Sequence, residues 1–244
     1  MRPEKSAAVP LAETSNVPRV QTTEDIITQH LREAIVRGEL LPGERLNQLA
    51  IAELFQVSRI PIRNALQRLA AEGLVTLRAH RTATVTELSL EELEEIYAIR
   101  GTLEGVTAEI ATATLSSDRI EELASIVAAL DDADDRESWI DLNLRFHATI
   151  YAAAGRPRTV AIIRQLRQLS GPYIKHYIVE EAYRSQAQVG HHRILQACRD
   201  HDPARARIET ERHLAQVIAG VRDLADREGG LRPTLTLSRS APAK

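Results

Sequence analysis

From residue 90 onward the apolar positions recur every three or four residues, whereas segments that alternate as β-strands do are few. Ser89 can cap the first helix of this region, with Glu91 and Glu92 in its first turn. Further helices are predicted at about residues 117–131, 137–154, 157–180, 184–200 and 203–227, with Ser, Asp, Gly or Pro between them. Residues 88–228 are therefore predicted to form an antiparallel all-α bundle of six or seven helices.

A more compact pattern comes before the bundle. Pro42-Gly43 forms a turn pair, and Asn47 offers a side-chain oxygen that can cap the helix after it. Ser58 can cap a second helix, with Pro61 in the first turn, where its missing N–H costs little. The spacing predicts two helices that meet across a short turn.

The residues after Gly73 change to a strand pattern. Residues 74–77 and the β-branched run at 82–86 flank a basic turn, which predicts a small β wing. The predicted fold class is mostly α, with an N-terminal winged helix-turn-helix at residues 21–87 followed by the helical bundle. Disordered tails rich in Pro, Gly, Ala, Ser or Thr are predicted at residues 1–20 and 229–244.

Arg59 and Arg63 lie four residues apart on the second helix, so their guanidinium groups project from one face. Such a face can enter the major groove of DNA, where arginine binds guanine or phosphate and the amides of Asn64 and Gln67 suit adenine. Residues 59–81 carry more arginine than acid, although the whole chain has a formal net charge of -3. The alternative interpretation is an ordinary solvated surface.

Length and composition limit the remaining classes. The chain of 244 residues exceeds what one winged helix needs and suits about two domains. A single cysteine, Cys198, excludes an intramolecular disulfide framework, and no apolar run approaches the roughly 20 residues that a membrane span needs. No signal-peptide pattern opens the chain, so we expect a protein of a reducing cytoplasm that makes no membrane contact.

Three stretches of the N-terminal region resemble the GntR family of bacterial transcription regulators. Residues 38–46 match its G-x-L-x-P-G-x-x-L pattern, residues 57–69 match V-S-R-x-P-[VI]-R-x-A-L-x-R-L, and residues 72–75 match E-G-L-V. The resemblance implies that Arg45, Arg59 and Arg63 contact DNA. Thr82 departs from the pattern, because the family often has glycine at the wing tip. The residues assigned to the DNA interface are Arg45, Ser58, Arg59, Arg63, Asn64, Gln67, Arg78, His80 and Arg81.

Four polar residues of the predicted bundle suggest a metal site. Asn143 and His147 lie four residues apart on one helix face, while His192 and His213 occur on two later helices. If they converge, three histidine nitrogens and one amide oxygen suit Zn, Ni or Mn, with positions left open for water or a ligand carboxylate. From spacing alone, hydrogen-bonded structural histidines are the more common explanation.

The bundle region also resembles the FCD ligand-binding domain of FadR-type GntR regulators. Residues 100–104 match R-x-x-[LI]-E, residues 143–147 match [DN]-x-x-F-H, and residues 155–157, 192–197 and 213–214 match later motifs. In that family the matching residues hold a divalent metal beside a small-acid effector. The resemblance thus implies Asn143, His147, His192 and His213 as the metal site. His191 could substitute for one of them, but it points about 100° away from His192.

Arg100 is a candidate for binding an effector carboxylate, because its planar guanidinium group can donate two hydrogen bonds to it. An ion pair with Glu104, one helical turn later, is the alternative, and both remain open. Tyr97 and Arg145 are the other predicted effector-binding residues, with ordinary amphipathic packing as their alternative.

Together these patterns predict a ligand-responsive transcription regulator of the bacterial cytoplasm. It would be a homodimer that reads a palindromic operator in double-stranded DNA and, by the resemblance, acts as a repressor. A small carboxylate would bind near the metal and Arg100, shift the helix packing and change the spacing of the two recognition helices. Two alternatives remain: an architectural DNA-binding protein whose helical region only dimerises, and a metal-dependent enzyme, for which no well-placed general base is found.

Overall fold

The computed structural model describes residues 21–78, 82–177 and 181–231. The predicted tail at residues 1–20, most of the predicted tail at 229–244, and the wing residues His80 and Arg81 lie outside the described residues.

The N-terminal part is a winged helix-turn-helix. Its elements are α1 (Thr23–Val36), β1 (Arg45–Leu46), α2 (Gln48–Leu54), α3 (Arg59–Ala71), β2 (Val75–Arg78) and β3 (Thr82–Val85). The strands form an antiparallel sheet in the order β1-β3-β2, in which Thr84 is opposite Arg45 on one side and Thr76 on the other. The two predicted helices and the two wing strands are confirmed. Strand β1 was not predicted, because two residues are too short to show an alternating pattern.

The caps of α2 and α3 differ. Asn47 caps α2 as predicted, since its Oδ1 accepts a hydrogen bond from the backbone N–H of Leu49 at 2.9 Å. Ser58 has the extended backbone of an N-cap residue, but its side chain makes no cap hydrogen bond. The third helical position, which supplies a usual donor to a serine cap, is Pro61 and has no N–H. The predicted capping role of the Ser58 side chain is therefore wrong.

The winged domain has its own apolar core, which fixes the recognition helix α3. Ile62, Leu66 and Leu69 of α3 are fully buried and pack with Ile27 of α1. Arg68 on α3 also forms an ion pair with Asp25 on α1 at 2.6 Å. The side of α3 that carries Arg59 and Arg63 is left exposed.

The C-terminal part is a helical bundle. Within the described residues it contains α4 (Leu90–Thr112), α5 (Ser117–Asp131), α6 (Arg136–Ala153), α7 (Pro157–Tyr177), α8 (Glu181–Arg199) and α9 (Pro203–Glu228). Ser89 and Glu92 form a reciprocal capping box at the start of α4, as the sequence indicates. Helix α4 is central, because it contacts α6, α7 and α9. The described helices include none that is long and apolar enough to cross a membrane.

Helix α7 joins the bundle to the winged domain. Leu169 packs against the core of the winged domain, next to Gly73. Gln165 Nε2 donates a hydrogen bond to the backbone carbonyl of Glu72 at 3.1 Å. Near the domain linker, the hydroxyl of Tyr173 accepts a hydrogen bond from the backbone N–H of Leu88 at 2.7 Å. The two domains therefore share a contact that runs along one helix.

The two serine caps give a matched test of this structure. Ser89→Ala should lower the free energy of unfolding by about 1 kcal/mol, because it removes a cap hydrogen bond that the helix end needs. Ser58→Ala should change it by less than about 0.5 kcal/mol, since no such bond is lost. Chemical denaturation of both variants measures the difference, and equal losses of stability would contradict it.

Candidate functional site

A cleft between α3 and β2 forms the candidate DNA interface. Its lining residues are Gln48, Arg59, Ile60, Arg63, Leu66, Gln67, Leu77 and Arg78. The structure thus brings Arg59, Arg63, Gln67 and Arg78, four of the predicted DNA-binding residues, to one place. Arg45 is exposed on β1 of the same sheet.

The arginines of the winged domain divide into two groups. Arg32 forms an ion pair with Glu72 at 2.7 Å, and Arg68 forms one with Asp25, so both hold the domain together. The exposed Arg59 and Arg63 have no ion-pair partner within the part of the chain that the structure describes. Their charges are available to an anionic partner.

Two of the predicted DNA-binding residues, Asn64 and Ser58, do not line the cleft. Asn64 does not face the cleft, because its side-chain amide donates to Glu24 Oε2 on α1 at 3.1 Å. Asn64 lies one position from Arg63, about 100° around the helix, and its bond to Glu24 holds α3 against α1, so the structure does not bring it to the cleft with Arg59 and Arg63. Ser58 is exposed, with its hydroxyl free of any cap hydrogen bond. His80 and Arg81 lie outside the described residues.

A second candidate site is a cavity of about 100 Å³ inside the bundle. Its polar and charged lining residues are Tyr97, Arg100, Asn143, His147, Arg167, Ser170, Lys175, Tyr177 and His213. The remaining wall is largely apolar and includes Trp139, Ile140, Leu144 and Ile174. Val36, the last residue of α1, also lines the cavity, so the winged domain contributes to it.

A buried cluster of charges lies beside this cavity. Glu104 is fully buried and accepts hydrogen bonds from Arg100 Nε at 2.8 Å, Arg167 at 3.1 Å and the Tyr151 hydroxyl at 2.5 Å. Arg100 also donates to Ser170 Oγ at 3.1 Å. Burial alone would raise the pKa of Glu104, but the two guanidinium groups outweigh it and lower that pKa. Two cations against one carboxylate leave positive charge in excess at the cavity wall.

Three histidines meet at the same place. His147 on α6, His191 on α8 and His213 on α9 are buried, and each offers a ring nitrogen within 4.8 Å of the others. His191 Nε2 and His213 Nδ1 have no hydrogen-bond partner among the described residues. Buried polar atoms without a partner are rare, so this cluster fits a ligand that accepts their lone pairs.

Neighbouring hydrogen bonds fix which nitrogen carries the proton in two of these rings. Gln188 donates through Nε2 to Val127 O and Asp131 Oδ1, which leaves its Oε1 to accept from His191 Nδ1 at 2.9 Å. The Tyr151 hydroxyl donates to Glu104 and therefore accepts from His147 Nδ1 at 3.1 Å. In both rings Nε2 is then the free acceptor, the state that a metal ligand requires.

The environment also keeps the three rings neutral. Desolvation, followed by the charge of Arg167, lowers the pKa of His213 to about 4. Burial likewise lowers the pKa of His147 and of His191 well below the usual histidine value. Neutral imidazoles can bind a divalent cation without first losing a proton.

His192 was predicted as a metal ligand, and the structure places it elsewhere. Its side chain is 53% exposed, and its Nε2 lies 3.0 Å from Asp131 Oδ2 on the outer surface of the bundle. Adjacent helical residues point about 100° apart, and the face of α8 with Ile194 and Leu195 turns His191 inward. The structure therefore does not bring His192 to His147 and His213, and His191 lies beside them instead.

The predicted effector residues are only partly brought together. Tyr97 and Arg100 are buried at the cavity, and the guanidinium carbon of Arg100 lies 4.4 Å from the centre of the Tyr97 ring. The alternative ion pair of Arg100 with Glu104 is present too. Arg145 is 62% exposed and pairs with Glu122 at 3.3 Å, so its prediction is wrong. It lies two residues from His147, which puts it on the opposite side of α6.

Sequence reasoning missed Arg167 and Ser170, which reach the cavity from α7. They share a helical stripe with Gly171 and Ile174, at the spacing of one face. A polar stripe of that kind looks the same whether it faces solvent or a cavity. Whether the stripe faces solvent or a cavity depends on which helices pack against α7, and a single sequence does not reveal those packing partners.

A winged helix-turn-helix with an unneutralised cationic cleft, joined to a helical domain, is the architecture of a DNA-binding transcription regulator. Residues 23–85 match the family described as bacterial regulatory proteins, gntR family, and residues 95–216 match the FCD domain. The chain therefore belongs to the GntR family, and it is a transcriptional regulator with an FCD domain.

Relatives support this assignment. The chain is similar to the HTH-type transcriptional regulator McbR of Escherichia coli (strain K12), with 31% identity over 157 residues, which cover 63% of this chain and 71% of McbR. The HTH-type transcriptional repressor GlaR of the same organism is 27% identical over 150 residues, covering 59% of this chain and 68% of GlaR. The match to the HTH-type regulator YdhC of Bacillus subtilis (strain 168), at 31% identity, covers 48% of this chain and 54% of YdhC.

A solved structure agrees with the fold. The structure of E. coli McbR/YncC matches with a TM-score of 0.72 and 27% identity, over 83% of this chain and 98% of that chain. The likeness therefore includes both the winged domain and the helical domain.

The neighbouring histidines of α8 provide a direct test of the metal site. His191→Ala should lower the metal content of protein purified without chelators and then loaded with Zn, because it removes a buried acceptor nitrogen. His192→Ala should leave the metal content unchanged, since its ring is at the surface. Elemental analysis of both variants and the unaltered protein measures this. Equal metal loss in the two variants, or no metal in any of the three, would contradict the site.

Proposed function

We propose that this regulator is a repressor whose binding to a palindromic operator, as a homodimer, is modulated by a small carboxylate that binds beside a divalent metal in the helical domain. One observation carries the proposal. The cavity with excess positive charge and neutral histidines is built partly on α7, the helix that also contacts the winged domain.

The DNA-binding part rests on the cleft of the winged domain. Arg59 and Arg63 project from the exposed start of α3, and Arg78 faces them from β2. Guanine edges and phosphates both accept bidentate hydrogen bonds from such guanidinium groups. Arg45, on the neighbouring strand β1, suits a phosphate contact beside the groove.

The effector class follows from the charge and size of the cavity. Arg100 and Arg167 are not fully neutralised by Glu104, so the wall favours an anion. A volume of about 100 Å³ is roughly two thirds of that of an apolar cavity that accommodates benzene. A carboxylate with a short carbon chain satisfies both limits, and its chain would lie against the apolar wall.

A divalent ion such as Zn, Ni or Mn fits His147, His191 and His213, whose rings are neutral and whose ring nitrogens lie within 4.8 Å of one another. Asn143 lines the cavity one turn before His147 and is the fourth proposed ligand, through its amide oxygen. When bound, the ion would offer open positions to a carboxylate oxygen. The uncharged Asn143 leaves more net positive charge for the effector than a carboxylate in that place would.

Helix α7 supplies a physical route between effector and operator. Arg167 and Ser170 face the cavity, while Leu169, between them in sequence, packs against the core of the winged domain. At the edge of the cavity, Gly171 lies against Val36 of α1. An anion that draws Arg167 toward itself would shift α7 and the winged domain together, because both contacts are made by one rigid helix.

A homodimer and a repressing role complete the proposal. Two copies related by a two-fold axis would place two α3 helices on equivalent half-sites of a palindrome. Repression is supported by the similar protein GlaR, whose name describes a transcriptional repressor.

The DNA-binding role is tested by selecting duplexes from a random pool at about 0.15 M salt, where nonspecific phosphate binding is weakened. We expect a two-fold-symmetric motif. Arg59→Ala and Arg63→Ala should each weaken binding to it by about 1–3 kcal/mol per half-site. Arg158→Ala, an exposed change on the bundle, is the matched control and should have no effect. Selection of no motif by folded, metal-loaded protein would refute the proposal.

Coupling is tested with a panel of carboxylates of two to five carbons, from which ligands are chosen by their effect on thermal unfolding. Calorimetry should then give different ligand affinities with and without operator, because coupling is reciprocal. Leu169→Ala should bring the two affinities closer together, whereas Ile162→Ala, at an exposed position of the same helix, should not. Identical affinities in the unaltered protein would rule out the effector mechanism while leaving DNA binding intact.

A further inference from the structure

The cationic cleft of the winged domain contains two large apolar side chains that are open to solvent. Ile60, in the first turn of α3, is 63% exposed, and Leu77 on β2 is 44% exposed. Both line the cleft together with Arg59, Arg63 and Arg78. Single exposed apolar residues are common on protein surfaces, but these two line one cleft, so a partner that fills the cleft would cover both.

Folding gives no reason for an isoleucine at position 60. The core positions of α3 are occupied by Ile62, Leu66 and Leu69, which are fully buried. Ile60 lies two residues before Ile62 and so projects toward the other side of the helix. A polar residue there would leave the packed core unchanged, so the apolar side chain points to a contact with a partner.

The charge of the cleft identifies the kind of partner. Arg59 and Arg63 flank Ile60 in sequence and have no ion-pair partner among the described residues, so whatever covers Ile60 also meets uncompensated positive charge. The major groove of DNA satisfies both requirements. It carries phosphates along its edges, and thymine is the base that presents a methyl group there.

We propose that Ile60 determines operator specificity by packing against the 5-methyl group of a thymine in the major groove. This inference rests on the proposed DNA-binding function and assigns a base to one residue of that site. Leu77, on β2, adds a second apolar side chain to the lining of the same cleft.

The contact can be removed from the DNA side one methyl group at a time. In the selected operator, each thymine is replaced with deoxyuridine, symmetrically in both half-sites, which changes no hydrogen-bonding group. Replacement of one particular thymine in each half-site should lower the affinity of the unaltered protein about fourfold per half-site. This is the loss expected when one methyl group is no longer buried. The Ile60→Ala variant should bind the thymine operator and the deoxyuridine operator with equal affinity. That affinity should be close to the affinity of the unaltered protein for the deoxyuridine operator.

Leu54→Ala is the matched control. Leu54 is 78% exposed on α2 and does not line the cleft, so this variant should keep the full discrimination between thymine and deoxyuridine. Circular dichroism confirms that each variant folds. The inference is overturned if the unaltered protein ignores every thymine methyl group, or if Ile60→Ala keeps the discrimination.

Two further results would contradict the thymine contact without contradicting the proposed DNA-binding function. If Ile60→Ala weakens binding to both operators equally, Ile60 contacts sugar or backbone, and the thymine assignment fails while DNA binding stands. If Ile60→Ala leaves DNA binding unchanged but alters the mass of the protein in solution, the side chain contacts another protein, which also overturns the assignment. Failure to select any duplex would refute the DNA-binding proposal itself and this inference with it.

Discussion

The organisation of the helical domain depends on one buried carboxylate. Glu104 has no exposed surface, so its charge has lost the stabilisation that water provides. The structure replaces that stabilisation with Arg100 from its own helix, Arg167 from α7 and the Tyr151 hydroxyl from α6. Removing one partner from a buried ion pair typically costs about 3–5 kcal/mol, because the other charge stays uncompensated. The relative positions of α4, α6 and α7 are therefore tied to the neutralisation of this one group.

The same carboxylate connects the positively charged wall of the cavity to the histidines. The Tyr151 hydroxyl donates its proton to Glu104, so its oxygen accepts a hydrogen bond from His147 Nδ1. Nε2 is then the unprotonated nitrogen of the His147 ring. Arg167 bonds Glu104 from the cavity side and also depresses the pKa of His213. A new anion in the cavity would compete with Glu104 for Arg167. Occupation of the cavity and the electrostatics of the histidine cluster are thus physically linked.

Much of the fold could be predicted from the sequence, because local patterns decide it. Helical periodicity and the caps at Asn47 and Ser89 defined element ends to within a few residues, and turn residues marked the breaks between helices. Local rules failed where two of them competed. Ser58 is a favourable cap by residue type, but Pro61 three residues later removes a donor that such a cap uses. Strand β1 depends on its pairing with β3, and a two-residue segment carries too little pattern of its own to reveal it.

The site was harder to predict, because it depends on which direction each residue faces. His191 and His192 are chemically identical neighbours, and motif matching alone selected the wrong one. The apolar residues of α8 contained the correction: Ala187, Ile194 and Cys198 lie four, three and seven positions from His191 and are all buried with it. Arg167 offered no such signal, since an arginine beside apolar neighbours reads equally well as a surface residue. Its role follows from Glu104 on another helix, and only the packing of α4 against α7 reveals that a buried carboxylate requires it.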